Sequence, residues 1–166
     1  MTIETERLLL EPISPALAGR IVAGAPADGD APWHPEYPFA DELDPLRSHA
    51  ARTDPDPVFT MYQVRTRHDG LAVGGLGFFG PPEDGRVELG YGLVAAARGR
   101  GYATEALRAA VAAAARHGAR SIAADTEESN AASQNVLRKA GFTETHRDGG
   151  LVYFVLTLPE EVSARV

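Results

Sequence analysis

The chain has 166 residues, an apolar share of 44%, no cysteine and a formal net charge of −7. A chain of this length can bury a core without help from metals or disulfides, so the predicted organisation is one domain over residues 1–166. The lack of cysteine excludes disulfides, thiolate nucleophiles and Cys-based metal sites, and a pI near 5.2 argues against the basic footprint that nucleic-acid binding requires.

The segment from Met1 to Arg7 has neither the basic stretch nor the apolar run of a signal peptide, and no apolar run is long enough to cross a bilayer. The expected setting is therefore cytoplasmic, with no membrane partner. Leu8-Leu9-Leu10, closed by Pro12, predicts a strand over residues 6–13. Ser14 offers an N-cap with Pro15 at the first helical position, which predicts a helix over 15–22. Residues 24–57 are rich in proline, with scattered Asp, Gly and aromatics, and predict a long irregular crossing with one short helix near 41–52. Long crossings in compact domains tend to be functional or flexible, so Trp33, His34, Tyr37 and Phe39 are candidates to line a substrate entrance. Pinning the crossing to the core explains these aromatics equally well.

Alternation in Met61-Tyr62-Gln63-Val64-Arg65, the turn His68-Asp69-Gly70 and the apolar run over 71–79 predict a hairpin, followed by a third strand over 87–94. Leu107 and Val111 stand at helical spacing in the alanine-rich stretch 102–117 and predict the longest helix. A short strand over 121–125, a helix over 131–139 and closing strands over 142–146 and 151–158 complete the chain. The pattern is mixed α/β, with antiparallel strands first and helix-linked strands later.

The chemistry concentrates in residues 94–105, where an apolar strand runs through Ala95-Ala96-Ala97 into Arg98-Gly99-Arg100-Gly101 and directly into the long helix. A helix N-terminus has amides without intrahelical partners and a partial positive charge, and glycines let an anion approach the backbone. Two glycines alone would equally suit a plain helix start. The run Arg98-x-x-Gly101-x-Ala103, however, resembles the Q/R-x-x-G-x-G/A signature of the GNAT acetyltransferases, and Asn130-x-x-Ser133-x-x-x-Leu137-x-Lys139-x-Gly141-Phe142 resembles a second segment of that family, especially its ribosomal-protein N-terminal acetyltransferase branch.

The resemblance covers residues 6–158 and implies the GNAT fold: a twisted, mostly antiparallel sheet with helices on both faces and a splayed strand pair at the cofactor cleft. It implies acetyl-CoA as co-substrate, no metal, and a small-molecule amine or a protein N-terminus as acceptor; it also allows a homodimer. By that resemblance Arg98, Gly99, Arg100, Gly101, Ala103 and Thr104 cradle the pyrophosphate of coenzyme A. The strand ending at Leu93-Val94 holds the pantetheine arm and offers an amide to the thioester oxygen. Asn130 contacts the pantetheine amides, and Ser133 sits by the sulfur, although both residues would also serve as ordinary helix caps.

Direct transfer needs a neutral amine, hence a base or water relay, and a proton donor for the departing thiolate. Glu88 is the candidate base and acceptor contact, on the strand leading to the cradle and on one face with Gly90 and Gly92. An ordinary solvent-facing glutamate is the competing explanation. For the acid, Ser133 competes with Tyr91, Tyr102 and Tyr153. Trp33 and Tyr37 are the candidate acceptor contacts of the crossing.

Other signals fall away on context. Gly75-x-Gly77-x-x-Gly80 fits a dinucleotide fingerprint but is followed by Pro81-Pro82 rather than by a helix. There is no P-loop and no serine elbow, and His34, His49, His68, His117 and His146 lack metal-ligand spacing. The expected activity is N-acetylation of a primary amine by direct transfer from acetyl-CoA. The alternative is an acyl-CoA-sensing domain that binds without turnover.

Overall fold

The computed structural model describes residues 1–159. Ile3–Glu4 (β1) and Leu8–Pro12 (β2) form a tight antiparallel pair at the start of the chain, and Ser14 then caps α1 (Pro15–Ala23) by accepting the Leu17 amide at 3.1 Å. The crossing that follows carries a single 3-10 turn at Ala40–Glu42 leading into α2 (Leu43–Ala50). Next come β3 (Met61–Thr66), β4 (Ala72–Phe78), β5 (Arg86–Leu93) and, after a second 3-10 turn at Ala95–Ala97, the long α3 (Tyr102–Arg116). The chain finishes with β6 (Ser121–Glu127), α4 (Ala131–Lys139), β7 (Thr143–Asp148) and β8 (Leu151–Thr157).

The eight strands form one sheet in the order β1-β2-β3-β4-β5-β6-β8-β7. Every neighbouring pair is antiparallel except β5 and β6, which α3 connects as a parallel crossover. The fold class is therefore the expected one. The sequence reading missed β1, whose two residues are too short to show a period, and ended β6 two residues early, because Thr126 and Glu127 interrupt its apolar run.

Cross-strand partners in an antiparallel ladder project to the same face, and adjacent pairs project to opposite faces. Gly75 opposes Gly92, and Leu76 opposes Tyr91. Phe39 and Glu42, from the lead-in to α2, lie over Gly92 and Gly75, while Tyr91 reaches Ser133 on α4. The helices thus cover both faces. Leu8, Leu10, Leu46, Leu107, Ile122 and Phe154 are among the side chains sealed in the core. The alanine side of α3 (Ala106, Ala110, Ala113 and Ala114, all buried) lets this helix approach the sheet closely.

A polar knot ties the first strands to the start of α3. Glu105 accepts from the Thr5 hydroxyl at 2.5 Å, from the Arg7 amide at 2.9 Å and from the Arg7 guanidinium at 2.7 Å, and a further Arg7 nitrogen donates to the Arg100 carbonyl. Burial pulls the Glu105 carboxyl upward, but the hydrogen bonds from Thr5 and Arg7 outweigh it and hold the group below its ordinary value. Among the described residues no helix is long and apolar enough to cross a membrane.

Leu107 is fully buried where α3 meets the sheet. Leu107→Ala is expected to lower unfolding free energy by about 2–5 kcal/mol, from lost transfer energy and the cavity left behind. Urea denaturation measures it, and a loss below about 1 kcal/mol would mean that α3 does not pack as described.

Candidate active site

The parallel ladder between β5 and β6 consists of only three pairs, Arg86 with Ser121, Val87 with Ile122 and Glu88 with Ala123. β5 remains paired with β4 as far as Leu93, whereas β6 turns away to pair with β8 along its whole length. The two strands therefore part after Glu88, and a wedge opens between them. Along β5 the main-chain groups alternate sides. Glu88 and Val94 are bonded on the β4 side, through Phe79 and Val73 respectively. Tyr91 and Leu93 consequently present their main-chain groups toward the wedge. The Leu93 carbonyl accepts from Arg98 Nε at 3.2 Å, which leaves the Leu93 amide facing the opening. Of the two residues expected to lie along the cofactor arm, Leu93 has this free amide, and the Val94 amide is committed to Val73 at 2.8 Å.

β5 leads into the candidate cradle. Gly101 has φ +82° and begins α3 with no side-chain cap, and Glu105 is the first residue of the helix whose amide bonds back, to the Gly101 carbonyl at 3.1 Å. The amides of Ala103 and Thr104 in the first turn thus have no intrahelical acceptor. At Gly99, with φ +77°, an added Cβ would meet nothing within 4 Å, so the loop is open to an incoming group. Arg98, Gly99 and Arg100 are all exposed. Free amides at a helix start, glycines that allow close approach and two arginines fit a pyrophosphate.

Across the wedge, Asn130 caps α4 by accepting the Ser133 amide at 3.1 Å. The Tyr91 hydroxyl meets Ser133 Oγ at 2.9 Å and donates to the Ser133 carbonyl at 3.2 Å. Burial pushes the Tyr91 phenol upward, only partly offset by its bond to Ser133, so it stays protonated at neutral pH. The other two tyrosines considered as acids are engaged elsewhere: Tyr102 lies under the Arg7 guanidinium, and Tyr153 stacks on His146 at 4.4 Å.

A cavity of about 780 Å³ runs through this region. Its lining includes Tyr91, Asn130 and Ser133 at one end and Phe39, Glu42 and Met61 at the other, with Leu89 and Gly90 of β5 and Ala124 to Glu127 of β6 between them. It therefore connects the two faces of the sheet through the wedge. Glu88 shares a sheet face with Gly90 and Gly92, but its side chain is 59% exposed, lies 4.0 Å from Arg86 and is not part of the lining. Trp33 and Tyr37 are not in the lining either; they pack edge to face at 5.7 Å, with Tyr37 buried. Of the four crossing residues singled out in the sequence, only Phe39 lines the cavity.

The residue that sequence reasoning missed is Glu42. It is 5% exposed, and neither carboxylate oxygen has a hydrogen-bond partner. Desolvation pushes its pKa up to about 8. Its Oε1 occupies the space where a side chain at position 75 would start, so Gly75 is required for it. The neighbouring Tyr37 phenol is raised by burial and then by the Glu42 charge. Arg65, on β3, is turned to Gln63 Oε1 at 2.6 Å and to Glu11 at 3.4 Å, and makes no bond to Glu42. The available signal was the glycine pair Gly74-Gly75 inside a strand, which marks a close approach by another group. Among the described residues no three His, Asp or Glu side chains come together as a metal site.

A family model described as an acetyltransferase (GNAT) domain matches residues 7–143. No curated protein matches the sequence. Among solved structures, a GNAT-family acetyltransferase from Bacillus anthracis is 19% identical with a TM-score of 0.67, covering 95% of this chain and 98% of that one. A ribosomal L7/L12 alpha-N-protein acetyltransferase, RimL, in complex with coenzyme A is 18% identical with a TM-score of 0.65, covering 95% and 98%. A ribosomal-protein-S5-alanine acetyltransferase from Vibrio fischeri is 16% identical with a TM-score of 0.63, covering 95% and 96%. At these identities the structural likenesses establish the fold, and the family rests on the model match.

A carboxyl group raised from 4.5 to about 8 on folding makes the folded state bind more protons than the unfolded state between those values, so stability falls as pH rises through that window. Glu42→Gln removes this dependence. The variant is expected to gain on the wild type by up to about 1.4 kcal/mol per pH unit across the window, read from denaturation midpoints at several pH values. Parallel curves for the two proteins would show that Glu42 is not desolvated.

Proposed function

Because the chain belongs to the GNAT acetyltransferase family and takes its acetyl group from acetyl-CoA, we propose that it N-acetylates a primary amine, on a small molecule or at a protein N-terminus, working as one domain over residues 1–166. The observation that carries this reading is the cavity through the β5–β6 wedge, with the Tyr91–Ser133 hydroxyl pair toward one face and Glu42 toward the other. A cavity with lining on both faces of the sheet suits two reactants that meet in the middle. The similarity to two ribosomal-protein acetyltransferases supports the inclusion of N-termini among the acceptors.

Acetyl-CoA supplies an acyl group already activated as a thioester. In this reading the first-turn amides of α3, with Gly99, Gly101, Ala103 and Thr104, hold the pyrophosphate, and Arg98 and Arg100 add formal charge. The Leu93 amide holds the carbonyl end of the arm and favours negative charge developing there. Asn130 orients the arm from α4. The Tyr91 hydroxyl, protonated and bonded to Ser133, is placed to hand a proton to the leaving sulfur, with Ser133 relaying or replacing it. The wedge keeps the arm between two strands and excludes water from the reacting atoms.

Calorimetric titration with acetyl-CoA is expected to give micromolar-range affinity that Gly101→Glu abolishes, because the new side chain brings negative charge and bulk into the cradle. Wild type that folds but does not bind would end the reading. Release of coenzyme A should then follow with a panel of primary amines and N-terminal peptides. Binding without turnover on any of them would favour the sensing domain.

A further inference from the structure

We propose that Glu42 is the residue that receives the acceptor's ammonium group and takes its proton, at the end of a chamber shaped for an amine carried on an apolar body. This rests on the reading of the chain as an acetyltransferase of primary amines. It replaces Glu88, which lies outside the cavity lining, with a residue that belongs to it.

The first ground is the absence of partners. Buried carboxylates are almost always paired or hydrogen-bonded, because desolvating a charge without compensation is costly. Glu42 is 95% hidden from solvent, judged from its 5% exposure, and both oxygens are unpartnered. Tyr37, from the crossing, senses the charges of both Glu42 and Arg65, and Asp41, Asp44 and His49 line the same cavity. Arg65 is engaged with Gln63 and Glu11, and the His49 ring is engaged with the Ile13 carbonyl. A cation arriving from outside would supply what the protein does not.

Position is the second ground. Glu42 lies over Gly75, whose ladder partner Gly92 precedes Leu93, the residue with the free amide, and follows Tyr91, which holds Ser133. An amine bound at Glu42 is therefore on the acceptor side of the wedge, in the same cavity as the proton donor. The walls are the third ground. Phe39, Met61 and Phe79 line this part of the cavity, lying over Gly92, Gly77 and Gly90 on the face that Glu42 occupies. Asp41, Asp44 and Asp56 also line it, against the single cation Arg52 among the lining residues. Such a chamber attracts a cation and retains an apolar body.

Protons balance in this scheme. The ammonium gives one proton to Glu42, and the freed nitrogen bonds to the acetyl carbon as the carbon–sulfur bond breaks. The nitrogen's second proton is the equivalent of the one that Tyr91 and Ser133 deliver to sulfur; the proton lost to solvent is the one that Glu42 sheds when the ammonium binds, and Glu42 is left protonated, as in the free protein.

The test titrates 2-phenylethylamine into the protein saturated with coenzyme A, near neutral pH, in two buffers of different ionisation enthalpy. The bound pair holds one proton fewer than the free ammonium and the protonated acid together, so wild type is expected to release about one proton per amine bound. Glu42→Gln should release none and bind roughly thirtyfold more weakly or worse. Glu42→Asp should regain part of the release, and Gly75→Ala, which displaces the carboxylate while keeping its charge, should lose affinity for the amine but not for coenzyme A. Unchanged affinity and proton release in folded Glu42→Gln would overturn the proposal, as would failure of wild type to bind the amine. If the amine panel is acetylated without regard to Glu42, this inference alone fails; if acetyl-CoA binds and no amine is acetylated, the wider reading fails first.

Discussion

The parting of β5 from β6 after Glu88 is the constraint on which the rest depends. A parallel pair joined by a helix would normally continue for the length of both strands, and here it stops after three residue pairs while β6 follows β8 over seven and β5 follows β4. Each strand keeps one partner and gives up the other. The result is a wedge in the middle of a sheet that leaves main-chain donors exposed without exposing the core, since Leu89 and Leu93 remain buried on their other sides. The same divergence delivers the end of β5 to the Arg98–Gly101 turn, so the wedge and the helix start are contiguous. The Arg7–Thr5–Glu105 knot then fixes that helix start from the opposite edge of the sheet.

β4 and β5 show how much backbone proximity the site demands. Glycine weakens a strand, through lost packing and greater unfolded-state freedom, yet Gly75 and Gly92 face each other in the ladder at the centre of the sheet. Both places are taken by side chains from the lead-in to α2: Glu42 over Gly75 and Phe39 over Gly92. Packing alone would be better served by apolar residues in both strands. That arrangement costs stability twice, once in the strands and once in desolvating a carboxylate, and stability given up at a specific place is the usual mark of a functional requirement.

Most of the architecture was legible in the sequence because periodicity and caps report on local structure. Ser14-Pro15 marked α1, the alanine-rich period marked α3, and the hairpin and the closing strands followed from alternation and glycine turns. The strand, glycine turn and helix of the candidate cradle were legible too, since they are consecutive in the chain. What could not be read was any relation between distant segments. Glu88 looked favourable from strand alternation alone, but alternation fixes a face and not a depth, and the parting of β5 and β6 begins just beyond it. Glu42 belongs to a crossing with no period, and its burial depends on Gly75, more than thirty residues away. Trp33 and Tyr37 had the composition of an entrance and turned out to be packing. The Gly75-x-Gly77-x-x-Gly80 pattern, discarded as a nucleotide fingerprint, did carry information, about approach to the strand rather than about phosphate.

The start of α3 and the Glu42 end of the cavity are electrostatic opposites, and each is built from the cheapest source of its charge. At the helix start the positive field comes largely from backbone amides and the α3 dipole, which the fold holds in place and which need no reorganisation to meet an anion. At the other end a single carboxylate is kept from its partners by burial, so it is held close to neutrality until a cation arrives. A fully ionised, solvated carboxylate there would bind an ammonium more readily and deprotonate it less well, because its pKa would lie far below that of the amine. Raising the pKa toward that of the amine narrows the gap that the proton must cross. Burial over the sheet thus raises this glutamate toward the range of a base with no second charge required.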